Sequence, residues 1–162
     1  MMGYGRLAAY IILCYHEVYL SIIIFYLNYN ILFKLGFKFM LNLYQADLMD
    51  HYQRPRNKGV VESANFQTDE HNPSCGDYIS FTAQIDPVTR VIKQIKFDGR
   101  GCVISLAMAS KLTEGAVGKH LSYVVELTSV DILRLVGLEL GPTRLRCALL
   151  PLEALQKKLL GG

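Results

Sequence analysis

Charged side chains are distributed very unevenly along this 162-residue chain, which limits the part of it that can form a compact domain. The chain has 17 Lys and Arg and 14 Asp and Glu, but only Arg6, Glu17, Lys34 and Lys38 lie within residues 1–39. The same segment holds ten of the aromatic residues, which number 10 Tyr and 7 Phe in all. We therefore predict an apolar, aromatic-rich head at residues 1–39 and one near-neutral domain at residues 40–162.

The head matches the pattern of a membrane-spanning or targeting segment only in part. A membrane-spanning helix needs about 20 apolar residues, but the best run, residues 19–33, contains three polar residues. Extending it towards the N-terminus brings in Glu17, which is costly in lipid, and no small-residue signal-peptidase site follows. Three interpretations stay open: a mis-assigned start upstream of Met40, a membrane or interfacial segment, and a packed helix.

Hydrophobic periodicity and turn residues in the domain predict an α+β fold, in which a small antiparallel sheet packs against helices. Residues 60–74 are polar and predict an irregular segment, and either Thr128 or Ser129 caps the helix that contains Asp131. The predicted elements are a helix over 41–51, strands over 78–85 and 91–97 joined by a hairpin at 86–90, a helix from 103 to about 116, one or two short helices within 121–136, and a helix from 142 to about 160.

Four cysteines are too few for a disulfide framework. The three in the domain, Cys75, Cys102 and Cys147, are too far apart for a Cys-x-x-Cys knuckle, so the fold would have to assemble any metal site. Cys102 and Cys147 lie near predicted helix starts and next to arginines, which favours the thiolate, the nucleophile and metal ligand of sulfur chemistry. The alternative is that all three are small buried apolar residues. Asp77 follows Cys75 in a Cys-Gly-Asp turn and is a candidate to share its site.

Four ordered blocks of sequence carry a family resemblance: Asp50–Asn57, Asn72–Asp77, Gly99–Ala107 and Arg146–Ala148. Together they resemble the IscU/SufU/NifU-N family of iron–sulfur cluster assembly scaffolds, from about Leu43 to Leu160. The resemblance implies a SufE/NifU-like α+β fold with a sheet of about three strands.

The resemblance also implies a function. Cys75, Asp77, Cys102 and Cys147 would converge as ligands, and either Cys75 or Cys147 would be the first to accept sulfur, as a persulfide, from a cysteine desulfurase. A labile [2Fe–2S] cluster would then be built from iron and sulfur in the cytoplasm and transferred to recipient apoproteins. The resemblance also implies that the same site would bind zinc.

The stretch Leu140–Cys147 departs from the family pattern. The IscU branch carries His immediately before its third cysteine, whereas this chain has Arg146, and Gly141 and Thr143 also differ from the family pattern. Together these changes argue against recognition by an Hsp70-type chaperone. A guanidinium cannot ligate a metal. The SufU branch also has a basic residue there but carries an insertion between the second and third cysteines, for which the spacing from Cys102 to Cys147 leaves no room.

Two functions follow: a non-enzymatic cluster scaffold, or a zinc-dependent persulfide acceptor, which would be a sulfurtransferase of SufU type. A third, more distant hypothesis is a membrane-anchored protein with structural cysteines, which requires that residues 1–39 are real. A net charge of only +3 argues against nucleic acid as a partner.

Overall fold

Three antiparallel strands, adjacent in the order in which they occur along the chain, form the centre of the fold. The computed structural model describes residues 43–161, so the predictions made for residues 1–39 lie outside the described residues, as does the fourth cysteine, Cys14. The elements are a helix over residues 43–53 (α1), β1 Phe66–Asn72, β2 Asp77–Ile85, β3 Ile92–Arg100, α2 Val103–Ala116, α3 Ser122–Glu126, α4 Ser129–Val136 and α5 Pro142–Leu160.

The central strand β2 shows the expected alternation along its whole length. Every odd-numbered residue from Asp77 to Ile85 is buried, and α2 and α5 pack against the sheet. Phe81 of β2 meets Phe97 of β3, with ring centroids 6.4 Å apart. A shift of register between Gln84 and Ile85 lets Ile92 and Ile95 of β3 both point inward, although they are three residues apart. The α+β prediction with an antiparallel sheet is thereby confirmed.

The prediction of an irregular segment over residues 60–74 is wrong for its second half, which forms the edge strand β1. Two of its inward-facing residues, Thr68 and Glu70, are polar, and α5 supplies their partners. The hydroxyl of buried Thr68 donates to the carbonyl of Ala154 at 2.8 Å, and Glu70 pairs with Lys157 at 2.6 Å. A period of two in hydrophobicity is therefore missing from a segment that is nonetheless a strand.

The predicted helices form where hydrophobic periodicity places them. Thr128, not Ser129, caps α4, where its side chain and that of Asp131 form a capping box. Helix α5 opens with Pro142 and continues through Pro151 to Leu160. In the described part of the chain no helix combines the length and the hydropathy that a membrane crossing requires.

A buried histidine joins α1 to α2. His51 is 4 % exposed, and its Nδ1 lies 2.9 Å from the hydroxyl of Ser110. The same hydroxyl accepts the backbone N–H of Arg56 at 2.8 Å, so it is free to donate its own proton to His51. The contact therefore favours the neutral imidazole, with Nδ1 as the acceptor.

The domain is expected to lose stability as the pH falls below about 6.5, the pKa of His51 in the unfolded chain. Burial lowers the pKa of His51 in the fold, and Arg56 and Lys111 act in the same direction against the opposing carboxylates of Asp47 and Glu114. Because the unfolded chain then binds the proton more tightly, stability is complete above this range and declines until the folded-state pKa is passed.

Urea unfolding measured at a series of pH values checks this expectation. His51→Gln is expected to be less stable but to show a flatter pH profile below about 6.5. His120→Gln, which alters an exposed histidine, is expected to keep the profile of the unchanged chain. Equal slopes for all three proteins would contradict the assignment to His51.

Candidate metal centre

The loop between β1 and β2 holds Cys75, the first of the three predicted site cysteines, at the surface. Asn72 and Asp77 pair across the two strands, and the buried Asn72 organises the turn between them. Its side-chain oxygen accepts the N–H of Ser74 at 3.0 Å, and its carbonyl accepts the N–H of Gly76 at 2.9 Å. Gly76 has a φ of 73°, which favours glycine. Cys75 is consequently exposed at the tip of the turn.

Helix α5 brings the third predicted cysteine to this loop. Cys147 is the sixth residue of the helix and is 4 % exposed. Its Sγ lies 3.5 Å from Sγ of Cys75 and 3.5 Å from the carbonyl oxygen of Thr143. One ligand atom each from Cys75, Asp77 and Cys147 lies within 4.8 Å of the other two. Three of the four predicted ligands therefore meet at one end of the sheet.

Cys102 lies next to these three residues but does not belong to the group whose ligand atoms lie within 4.8 Å of one another. It is the exposed N-cap residue of α2, and its backbone N–H donates to Oδ1 of Asp77 at 3.1 Å. The thiol of Cys102 is close enough to raise the pKa of Cys147. Cys102 therefore positions the carboxylate through its backbone, and its sulfur lies at the open side of the site.

Asp77 is the residue whose surroundings fit a metal most directly. It is 3 % exposed, and within residues 43–161 its Oδ2 has no hydrogen-bond partner. Burial by itself raises the pKa of Asp77, but the polar groups of Ser105, Cys75 and Cys102 outweigh it and hold the pKa below its usual value. The carboxylate is therefore ionised, buried and short of one partner. A bound cation would supply that partner.

The donor set is chemically suited to zinc or iron. Two converging sulfurs, a third nearby and one carboxylate oxygen form the mixed soft and hard set that either metal accepts. The residues present therefore fit a zinc ion or an iron–sulfur cluster.

The surroundings of Cys147 favour the neutral thiol, whereas its position near a helix start predicts the thiolate. Burial is the largest influence and raises the pKa of the Cys147 thiol, with the thiols of Cys75 and Cys102 and the charge of Asp77 acting in the same direction. Cys147 lies beyond the first turn of α5, where the effect of the helix dipole has faded. Arg144 and Arg146 are exposed on the same helix, so solvent screens their charges.

Two further residues shape the site and had no assigned role in the sequence. Ser105 is fully buried, and its hydroxyl donates to the carbonyl of Cys102 at 3.1 Å. A Cβ at Gly101 would lie 2.6 Å from the Ser105 hydroxyl oxygen and 2.9 Å from Cγ of Asp77. The only sequence signal for either residue was its place in the block Gly99–Ala107.

Gly101→Ala is expected to weaken zinc binding by about tenfold or more, because the added methyl group would push Asp77 and Ser105 out of place. Competition with a chromogenic zinc chelator measures the affinity. Gly141→Ala is the matched control, since a Cβ at Gly141 meets no atom within 4 Å. Unchanged affinity in the Gly101 variant would show that the position of Asp77 does not govern metal binding.

The fold and the site together define a class: a small α+β domain in which a loop and two helices bring cysteine sulfurs to a buried carboxylate at one end of the sheet. Residues 43–160 match the family model of the NifU-like N terminal domain. The chain belongs to this family of iron–sulfur cluster assembly scaffolds, whose named members include IscU, SufU and NifU.

Individual relatives represent both branches of the family. The chain is 39% identical over 112 residues to the iron–sulfur cluster assembly scaffold protein IscU of Aquifex aeolicus, covering 69% of this chain and 71% of that one. It is 35% identical over 132 residues to the zinc-dependent sulfurtransferase SufU of Bacillus subtilis, covering 71% and 88%. The crystal structure of a SUF-system protein from Fervidobacterium islandicum has the same fold, with a TM-score of 0.62, 24% identity and coverage of 70% and 93%.

Proposed function

We propose that this protein accepts sulfur from a cysteine desulfurase, assembles a labile [2Fe–2S] cluster and transfers it to recipient apoproteins. The observation that carries the proposal is the convergence of Cys75, Cys147 and the under-bonded carboxylate of Asp77 at one end of the sheet. Free thiols are needed for this work, which fits a protein that acts in the reducing cytoplasm. The cluster is cargo in this function and leaves with each cycle.

Cys75 is the better of the two candidate first acceptors. It is exposed at a loop tip, whereas Cys147 is buried and its pKa is raised. The Cys75 thiolate attacks the outer sulfur of the desulfurase persulfide, so that a new S–S bond forms on Cys75. The S–S bond of the donor breaks, and the desulfurase cysteine leaves as its thiolate. Cys147, at 3.5 Å, is placed to receive the same sulfur next.

Asp77 would make the assembled cluster easy to release. Thiolates hold iron strongly, whereas a carboxylate is a harder and weaker ligand for an iron–sulfur centre. Each transferred sulfur must gain two electrons to become sulfide, and a thiol or another reductant has to provide those not supplied by Fe²⁺. The exposed sulfurs of Cys75 and Cys102 leave one side of the site open to a recipient.

A second candidate function is a zinc-dependent persulfide relay. Arg146 stands where a histidine ligand would be expected in the IscU branch, and the SufU of Bacillus subtilis is matched over 88% of its length. In this function zinc supplies a positive charge that keeps its ligand thiols as thiolates. The protein's own residues hold the metal and present Cys75 to the donor.

Anaerobic reconstitution distinguishes the two functions. The full chain, freed of metal, is incubated with a cysteine desulfurase, cysteine, a thiol reductant and Fe²⁺, and separately with zinc in place of iron. Visible absorption and circular dichroism report the cluster, elemental analysis reports iron and zinc, and mass spectrometry after alkylation locates any persulfide. The variants are Cys75→Ala, Cys102→Ala and Cys147→Ala, with Cys14→Ala as the matched control.

The scaffold function requires cluster absorption that is lost in the three site variants and kept in the control. The relay function requires stoichiometric zinc and a persulfide on Cys75 without a cluster. Persulfide on Cys147 in the Cys75→Ala variant, at an undiminished rate, would overturn the choice of Cys75. A chain that takes up neither metal nor sulfur would overturn both functions.

A further inference from the structure

An open cavity lies at the end of the sheet opposite to the metal centre. Its volume is 370 Å³, within the range of about 300–1000 Å³ typical of small-molecule sites. Strand β2 starts at Asp77 in the metal centre and ends at Ile85 in the cavity wall. Nine residues of strand separate the two sites by about 26 Å, so the cavity is not part of the metal centre.

The cavity combines apolar walls with two cations. Its apolar lining includes Phe66, Ile85, Leu121 and Leu159, while its charged lining residues are Arg90 and Lys158. In the described part of the chain no Asp or Glu lines this cavity. A partly apolar space whose charged lining residues are all positive is complementary to an anion that carries an apolar body.

Both cations are available to a ligand. Within the described residues, 43–161, neither Arg90 nor Lys158 has an ion-pair partner. The neighbouring carboxylate of Asp86 is already occupied, since it pairs with Lys93 at 2.8 Å and accepts two backbone N–H groups of its own turn at 2.9 Å. It therefore does not neutralise Arg90.

An arginine is unexpected at position 90, because the backbone there has a conformation that favours glycine. Its φ of 56° lies in the left-handed region, where glycine is the favoured residue and any side chain adds strain. The conformation is fixed by the turn, because the N–H of Arg90 donates to Asp86 at 2.9 Å and its carbonyl accepts from Leu121 at 3.0 Å. Lys158 lies in the last turn of α5, where a positive charge interacts favourably with the helix dipole. No such structural benefit accounts for arginine at position 90.

The walls are held in place before any ligand arrives. The side chain of Asn65 donates to the carbonyl of Ile85 at 2.7 Å and accepts its N–H at 2.8 Å. Together with the bond from Leu121 to Arg90, this fixes the ends of β1 and β2 and the hairpin against α3. A preformed cavity lowers the entropic cost of binding.

We propose that this cavity binds a small carboxylate with an aliphatic or aromatic body, its carboxylate between Arg90 and Lys158 and its body against the apolar wall. The site is distinct from the metal centre and goes beyond cluster assembly. A guanidinium presents two parallel N–H donors to one carboxylate, which gives this anion an advantage over a neutral molecule of the same shape.

Octanoate is the probe, and 1-octanol is its neutral counterpart. The full chain labelled with ¹⁵N is titrated with each, and amide shifts are followed by NMR. Octanoate is expected to bind one saturable site with a Kd of about 1 mM or tighter, to shift the amides of Phe66, Leu121 and Leu159, and to leave those of Cys75 and Cys147 in place. Octanol is expected to bind at least about tenfold more weakly.

Arg90→Gly provides the sharpest test, because it removes the cation and also relieves the backbone strain. This variant is expected to have an unchanged or higher Tm and to bind octanoate at least about tenfold more weakly. Lys158→Gln is expected to weaken binding in the same direction. Lys58→Gln, which removes an exposed lysine away from the cavity, is expected to change nothing.

Three results would overturn the proposal: no saturable binding of octanoate, equal binding of octanol, or full binding by Arg90→Gly. Zinc uptake and cluster assembly by Arg90→Gly are expected to be unchanged. Failure of the cavity proposal therefore leaves the proposed function untouched, and failure of the proposed function leaves the octanoate result standing.

Discussion

Zinc is expected to raise the Tm of the full chain by on the order of 15 °C, and Cys147→Ser is expected to remove most of this gain. A metal that binds only the folded chain stabilises it by about 4 kcal/mol when its free concentration is about 1000 times Kd. For a domain of this size, 1 kcal/mol corresponds to roughly 3–6 °C.

The reason for so large an effect lies in the metal-free site. A buried acceptor without a partner costs about 1–3 kcal/mol, and Oδ2 of Asp77 is such an acceptor within residues 43–161. The buried Cys147 thiol resists ionisation until a cation is present. Unfolding also separates the ligands, since Cys75 and Cys147 are 72 residues apart along the chain, so the unfolded chain has no equivalent site.

Thermal unfolding followed by circular dichroism, with zinc and with a chelator, checks this expectation. Cys14→Ser makes the same chemical change outside the described residues and is expected to keep the full gain. Melting Cys147→Ser without metal separates any damage to the fold from the loss of the ligand. A gain of equal size in Cys147→Ser and the control would place the zinc elsewhere.

Hydrophobic patterns were sufficient to predict most of the fold. The alternation of Ile79, Phe81, Ala83 and Ile85 predicts a half-buried strand, and the structure has β2 there. The edge strand β1 could not be found in this way. Its inward-facing Thr68 and Glu70 are polar, and their partners on α5 are more than 80 residues distant in the chain, as for Thr68 and Ala154. Local composition carries no trace of such a partner.

The candidate site was likewise predictable from the sequence only in part. The residue types and sequence blocks predict Cys75, Asp77 and Cys147 as ligands, and the fold brings these three residues together. Their protonation was not predictable from neighbours in sequence, because burial of Cys147 depends on the packing of α5 and outweighs the effect of a helix start. The role of Gly101 likewise depends on contacts across the chain, since the atoms that exclude a side chain there belong to Ser105 and Asp77.

Gly99→Ala is expected to destabilise the domain by about 3 kcal/mol or more. The φ of Gly99 is 155°, a conformation that side chains rarely adopt and that costs about 1–3 kcal/mol. An added Cβ would also overlap the carbonyl oxygen of Tyr78 and lie 3.0 Å from Cα of Ile79, both backbone atoms of the central strand. Neither can move without breaking the pairing of β2 with β3.

The same substitution is expected to damage the metal centre, because Tyr78 directly follows Asp77 and the strand cannot shift without moving the carboxylate. Urea unfolding gives the change in stability, and zinc competition gives the change in affinity. Gly118→Ala is the informative control: its φ is 76°, but a Cβ there meets no atom within 4 Å, so it measures backbone strain alone, at about 1 kcal/mol. A cost for Gly99→Ala no larger than that of Gly118→Ala would mean that the two strands separate easily at this point. The end of the sheet that carries Asp77 would then be compliant, and the carboxylate would be positioned by its bond to the N–H of Cys102 rather than by the strand.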